Sequence, residues 1–111
     1  MKKAFMIFIA VFALMSISFA ADAGVISIHN ATGFDIYEIY ISDSGTEDWE
    51  EDVLGADILE NGETLRVTVY GSYRIFDLAA VDHHGNEMYW YEFPGNISQI
   101  TIYRNGTAEY R

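Results

Sequence analysis

The stretch Thr64-Leu65-Arg66-Val67-Thr68-Val69-Tyr70 alternates Leu65, Val67 and Val69 with Arg66, Thr68 and Tyr70, and it lies between the turn pairs Asn61-Gly62 and Gly71-Ser72. Side chains on a strand alternate between its faces, so this run reads as a half-buried strand with one apolar side. Turn residues recur at short intervals on both sides of it, which is the rhythm of an all-β domain. Upstream, Val25–His29 reads as a strand, Asn30-Ala31-Thr32-Gly33 as a turn, and Phe34–Ser42 as a second strand. In that second strand Tyr37, Ile39 and Ile41 are expected on one face, and Ile36, Glu38 and Tyr40 on the other.

Downstream, Asp57–Leu59 suits a brief pairing, Tyr73–Val81 a strand, and Asp82–Gly85 a turn into Glu87–Phe93. Ile97–Tyr103, the Asn105-Gly106 turn and Thr107–Tyr110 form a terminal hairpin. Six main strands and two short ones result, rich in aromatic and β-branched residues. A two-layer antiparallel β-sandwich is the expected architecture, with a small β-barrel as the alternative.

Residues 1–20 have a different character. Lys2 and Lys3 precede an apolar run from Ala4 to Met15 and a small-residue end at Ser18-Phe19-Ala20, the three-part layout of an export signal. The run is short for a membrane span, which needs about 20 apolar residues. Cleavage is expected after Ala20, with Ala23 as a second acceptable position. The domain reading is therefore 1–20 signal peptide and 21–111 single β-domain, periplasmic or secreted, with no membrane anchor after cleavage. The chain has no cysteine, so neither disulfides nor lipidation of a cysteine contributes. A disulfide-free exported domain of this size points to a bacterial source. Three Asn-x-Ser/Thr triplets, at Asn30, Asn96 and Asn105, are short patterns of low information.

Both lysines lie in the signal, so the remainder carries four arginines against 17 acidic residues, a net charge of −13. Such a field repels phosphate backbones and anionic membranes and attracts cations and basic partners. Nucleic acid is excluded as a partner; a protein or a glycan is left. Seven of the acids fall in one loop, Asp43, Glu47, Asp48, Glu50, Glu51, Asp52 and Asp57. Three arrangements relieve their repulsion: splaying into water, a helical turn capped by Ser44 or Thr46, or a bound cation. The helical reading is supported by the spacing of Trp49, Val53 and Leu54, and Trp49 is then expected to plug one open end of the sandwich. The cation reading makes Asp43, Glu47, Asp48, Glu51 and Asp52 ligands of calcium, although the spacing departs from the helix-loop-helix calcium pattern, which requires a glycine where Asp48 stands.

The remaining candidates are fewer. His83-His84, between Asp82 and Glu87, brings imidazoles and carboxylates together in a way that suits zinc, copper or acid–base work, but neighbours on a turn ordinarily point apart and solvated polar side chains explain the run. Met88–Phe93 is expected as a central strand with Tyr89, Tyr91 and Phe93 on one face and Met88 and Trp90 on the other. Its rings suit core packing, or stacking on sugars by Tyr89 and Tyr91 in a carbohydrate-binding module. Asp77, on the face of Ile75, Ala79 and Val81, needs a partner, expected to be Arg66 or Arg104. No nucleophile-elbow sequence or glycine-rich phosphate loop is present. The chain reads as a non-enzymatic binding or interaction domain.

The series Asn30-x-Thr32-Gly33-x-x-Ile36-x-x-Ile39-Tyr40-Ile41-Ser42, then Trp49-x-x-Asp52-x-Leu54-Gly55, Gly62, and Phe76-Asp77-Leu78-x-x-x-Asp82-x-x-Gly85, resembles a family of small exported bacterial domains of unknown function. The likeness runs from about residue 25 to about residue 93. It departs from the family at Glu50, where glycine usually follows the tryptophan, and at Ala79, where arginine usually follows Asp-Leu. The resemblance implies a compact β-domain and carries over no catalytic residue.

Overall fold

The computed structural model describes residues 24–50, 52–69 and 74–111. The expected signal peptide, Glu51 and the Gly71-Ser72 turn lie outside the described residues. The described residues form seven strands: β1 (Gly24–Asn30), β2 (Ile36–Asp43), β3 (Thr64–Val69), β4 (Ile75–Asp82), β5 (Glu87–Pro94), β6 (Gln99–Ile102) and β7 (Ala108–Tyr110). They make a sandwich of two sheets, one ordered β3-β1-β6-β7 and the other β2-β4-β5. The described residues contain no helix, so loop 43–57 does not adopt the expected helical turn there.

Alternation builds the core. Ile26 and Ile28 of β1, Val67 of β3 and Ile100 and Ile102 of β6 face Ile39 and Ile41 of β2, Phe76, Leu78 and Ala80 of β4, and Trp90 and Phe93 of β5. Each large apolar side chain so enclosed contributes about 1.5–3 kcal/mol. Leu54 and Leu59, from the long β2–β3 connection, complete the same layer.

Two bulges redirect the expected faces. One lies between Ile36 and Glu38, so Ile36 joins Ile39 and Ile41 inside while Tyr37 is exposed rather than sharing their face. The other interrupts the β4–β5 ladder: Phe76 pairs with Phe93 and Leu78 with Trp90, leaving Tyr91 and Glu92 opposite Asp77. The extra residue brings Phe93 into the core beside Trp90, away from Tyr89 and Tyr91. Strand β5 also lies at a sheet edge; β4 takes the central position expected of it.

Among the described residues, all strand pairings are antiparallel except one. Strand β1 runs parallel to β6, with Ser27 opposite Gln99 and Asn30 opposite Ile102. The C-terminal ends of both strands therefore lie side by side, and so do the turns that follow them.

Candidate functional site

The outer face of the β2-β4-β5 sheet carries a second apolar cluster. Trp49 packs there on Tyr40 and Ala79, with Val81 and Tyr89 at its margin. Only 1% of Trp49 is exposed, so it covers the flat side of this sheet and does not plug an open end of the sandwich. The loop reaches that position because its second half is stitched to the β2 edge. Asp52 Oδ1 accepts the amides of Ile39 and Leu54, both at 2.9 Å, and the Val53 amide donates to the Ile39 carbonyl at 2.8 Å. Ile36 and Leu59 then exchange two backbone hydrogen bonds of 2.9 Å, closing the β2 edge against further strand addition.

Trp49 begins an aromatic row. Its ring lies 6.1 Å from that of Tyr89, tilted by 31°. Tyr89 lies 6.0 Å from Tyr91, and their planes differ by only 4°. Tyr91 is 48% exposed and Tyr89 half-buried, so the row rises from the protein interior to solvent. The Tyr89 hydroxyl donates to Glu87 and the Tyr40 hydroxyl donates to Glu38 at 2.6 Å. Burial first, and these carboxylates second, push both phenols well above the usual tyrosine range. The Tyr91 phenol is raised by burial and by the charge of Asp77.

Asp77 is 3% exposed beneath this face. It accepts the Ser44 hydroxyl at 2.5 Å and the Glu92 amide at 2.8 Å. These groups take the role expected of Arg66 or Arg104: Arg66 is exposed on β3 of the other sheet, and the Arg104 guanidinium lies over the Phe34 ring at 5.7 Å.

The proposed calcium ligands do not gather at one point. Glu47 and Asp48 are exposed, Asp43 Oδ1 accepts the Gly45 amide at 2.9 Å, and Asp52 is turned to the β2 edge; Glu51 lies outside the described residues. Among the described residues, no three His, Cys, Asp or Glu side chains are grouped to hold a metal ion. The His83 and His84 rings, expected to point apart, lie with centroids 3.9 Å from each other. Beside them Asp82 is fixed by the amides of His84 and Asn86, both at 2.9 Å.

A second feature was read in the sequence only as a turn. Asn30 is fully buried; its Nδ2 donates to the carbonyls of Phe34 at 2.8 Å and Leu59 at 3.0 Å, and its Oδ1 accepts from the amide and hydroxyl of Thr32. Gly33 and Gly62, at φ +89° and +94°, take left-handed conformations that favour glycine. The Gly33 amide donates to Asn61 Oδ1 at 2.8 Å, tying the two turns together. Because β1 and β6 are parallel, these turns meet the 103–107 turn around an open concavity of about 730 Å³. The signal that would have found it is the Asn-x-Thr-Gly run together with Asn61-Gly62, both of which combine an amide side chain with a glycine.

No family model matches the chain, and no curated protein matches it. Among solved structures it is similar to the NMR structure of a protein from Eubacterium rectale, with a TM-score of 0.55 and 15% identity over 86% of this chain and 93% of that one. The likeness is one of fold.

Proposed function

We propose that this chain is an exported, non-enzymatic binding domain that engages a glycan through the outer face of its β2-β4-β5 sheet. The observation that supports this reading is the pair of parallel rings at Tyr89 and Tyr91, one half-buried and one exposed, backed by the buried Trp49. Parallel rings fixed from below offer apolar area to the flat side of a sugar at little entropic cost. The acids near Trp49 in the chain, Glu47 and Asp48, are exposed acceptors for sugar hydroxyls. Export is part of the same proposal and rests on the leader-like residues 1–20.

Trp49 lies against Tyr89, so its fluorescence is the natural reporter of an occupied face. A panel of neutral and acidic oligosaccharides should include at least one that quenches or shifts the emission, and Tyr91→Ala should remove that response. Silence across the panel, with a basic peptide producing the response instead, would replace the glycan with a protein partner. The calcium reading gains no support from the positions of Asp43, Glu47, Asp48 and Asp52; an unchanged melting temperature in millimolar calcium is expected.

A further inference from the structure

We propose that the concavity at the shared C-terminal end of β1 and β6 is a second binding site, for a small carboxylate-bearing ligand anchored by Arg104. It is independent of the aromatic face and lies at the other sheet.

The charge pattern is the first argument. The chain has 17 acidic residues and six basic ones, yet the residues lining this concavity include Arg104 and His29 and no Asp or Glu. Here an approaching anion meets a guanidinium set among neutral amides and backbone, and the carboxylates at its margin are already engaged, Asp35 by the Asn61 backbone amide and Glu109 by the Tyr103 hydroxyl, both at 3.2 Å. Arg104 is also uncommitted. Its guanidinium rests over Phe34, and among the described residues it makes no ion pair or hydrogen bond. By contrast, Arg111 Nε donates to Gln99 Oε1 at 2.8 Å.

The donor arrangement is the second argument. Asn61 Oδ1 is occupied by the Gly33 amide, and Asn105 Oδ1 by the Thr107 amide at 3.2 Å and its hydroxyl at 2.7 Å. These bonds fix the orientation of both side-chain amides, so each faces its neighbours with oxygen and keeps its NH2 for a ligand. His29 Nδ1 is paired with Thr64 Oγ1 at 2.9 Å, which leaves Nε2. The site thus combines one permanent cation with several oriented donors, and its amide acceptors are already engaged. A guanidinium fork matches the two oxygens of a carboxylate in bidentate fashion. A monoanion is favoured over phosphate because a dianion meets twice the long-range repulsion from this chain.

Two sources share this chemistry, a sugar acid and the free carboxyl end of a peptide. The 15N-labelled protein would be titrated with glucuronate, with N-acetyl-alanyl-alanine, with glucose and with inorganic phosphate, following the amide resonances. A carboxylate ligand should shift Gly33, Asn61 and Arg104 through Thr107 at millimolar concentration, and glucose should not. The tighter of the two carboxylates identifies the source. Arg104→Gln should weaken binding about tenfold or more, since a charge-assisted bond is lost, whereas Arg74→Gln, with the same charge change at an exposed position on β4's approach, should leave it unchanged.

Three results would overturn the site: no carboxylate moving these amides, equal losses in the two arginine variants, or phosphate binding more tightly than either carboxylate. If Arg104→Gln lost the dispersed spectrum of a folded chain, the side-chain Nε–H resonance of Arg104 in the wild type would decide instead. Its shift on adding a carboxylate supports the guanidinium contact, and an unmoved resonance contradicts it.

Discussion

Asp77 accepts the backbone amide of Glu92 at 2.8 Å, and Glu92 is held at φ +67°, a left-handed conformation that is costly for a residue with a side chain. A buried carboxylate on the central strand thereby fixes the bulge that turns Phe93 inward and leaves Tyr91 outside. Asp77→Ala should cost about 2–3 kcal/mol, because two donors lose a charged acceptor in a buried setting. Glu92→Gly should be neutral or stabilising by up to about 1 kcal/mol, since glycine adopts this backbone without strain. Urea unfolding of the two variants measures both, and a strongly destabilised Glu92→Gly would show that the Glu92 side chain matters more than its backbone.

Asn30 joins the turn after β1 to the turn before β3. Its Nδ2 faces two carbonyl oxygens, so Asn30→Asp would set a carboxylate oxygen against them. The variant should lose about 3 kcal/mol or more, with a greater loss at neutral pH than in mild acid, where the new carboxyl can keep a proton and donate it. A pH-independent loss would argue against that orientation of the amide.

The Asp82 carboxyl feels two opposing influences. Burial raises its pKa, but the amides of Asn86 and His84, the Asn86 side chain and the nearby His84 charge outweigh burial and hold it below the ordinary 3.8. A carboxyl depressed by folding adds stability that is present above 3.8 and is lost as the pH falls through the folded-state value. Melting temperature followed into acid should therefore fall more steeply for the wild type than for Asp82→Asn, which carries no titrating group there. Parallel curves would contradict this.

At the alkaline end the sign reverses. Tyr40, Tyr89, Tyr91 and Tyr103 are all raised above 10.0, each first by burial, so the folded state favours the protonated phenol. Stability should fall as the pH rises past 10.0, and part of the tyrosinate absorbance should emerge only with unfolding. Glu38→Gln removes the carboxylate that accepts the Tyr40 hydroxyl and should let that phenol ionise earlier. Complete ionisation near pH 10 with the fold intact would refute the enclosure of Tyr40 and Tyr89 on this face.

The strands were legible because alternation and turn dipeptides are local: Leu65, Val67 and Val69 announced β3, and Asn105-Gly106 announced the β6–β7 hairpin. The bulges were not legible. An extra residue at Tyr37 or at Tyr91-Glu92 resets the alternation, and the bond that holds the second bulge, from the Glu92 amide to the distant Asp77 carboxylate, leaves no mark in the neighbouring sequence. The exposed tyrosines could be named beforehand, but the placement of Trp49 under them could not, since it depends on Asp52 pairing with the β2 edge. Nor could the Arg104 concavity, which exists because β1 and β6 run parallel, a long-range pairing that periodicity does not encode.

The central claim is that the Tyr89–Tyr91 face is where the ligand binds. A glycan array probed with the wild type and with Tyr91→Ala, whose exposed side chain can be removed without disturbing the core, tests it most directly. The account predicts binding of at least one glycan class by the wild type and a loss of about tenfold or more in the variant, the effect of removing one stacked ring and its contact area. An array on which the wild type binds nothing, or on which Tyr91→Ala binds as well as the wild type, would contradict it.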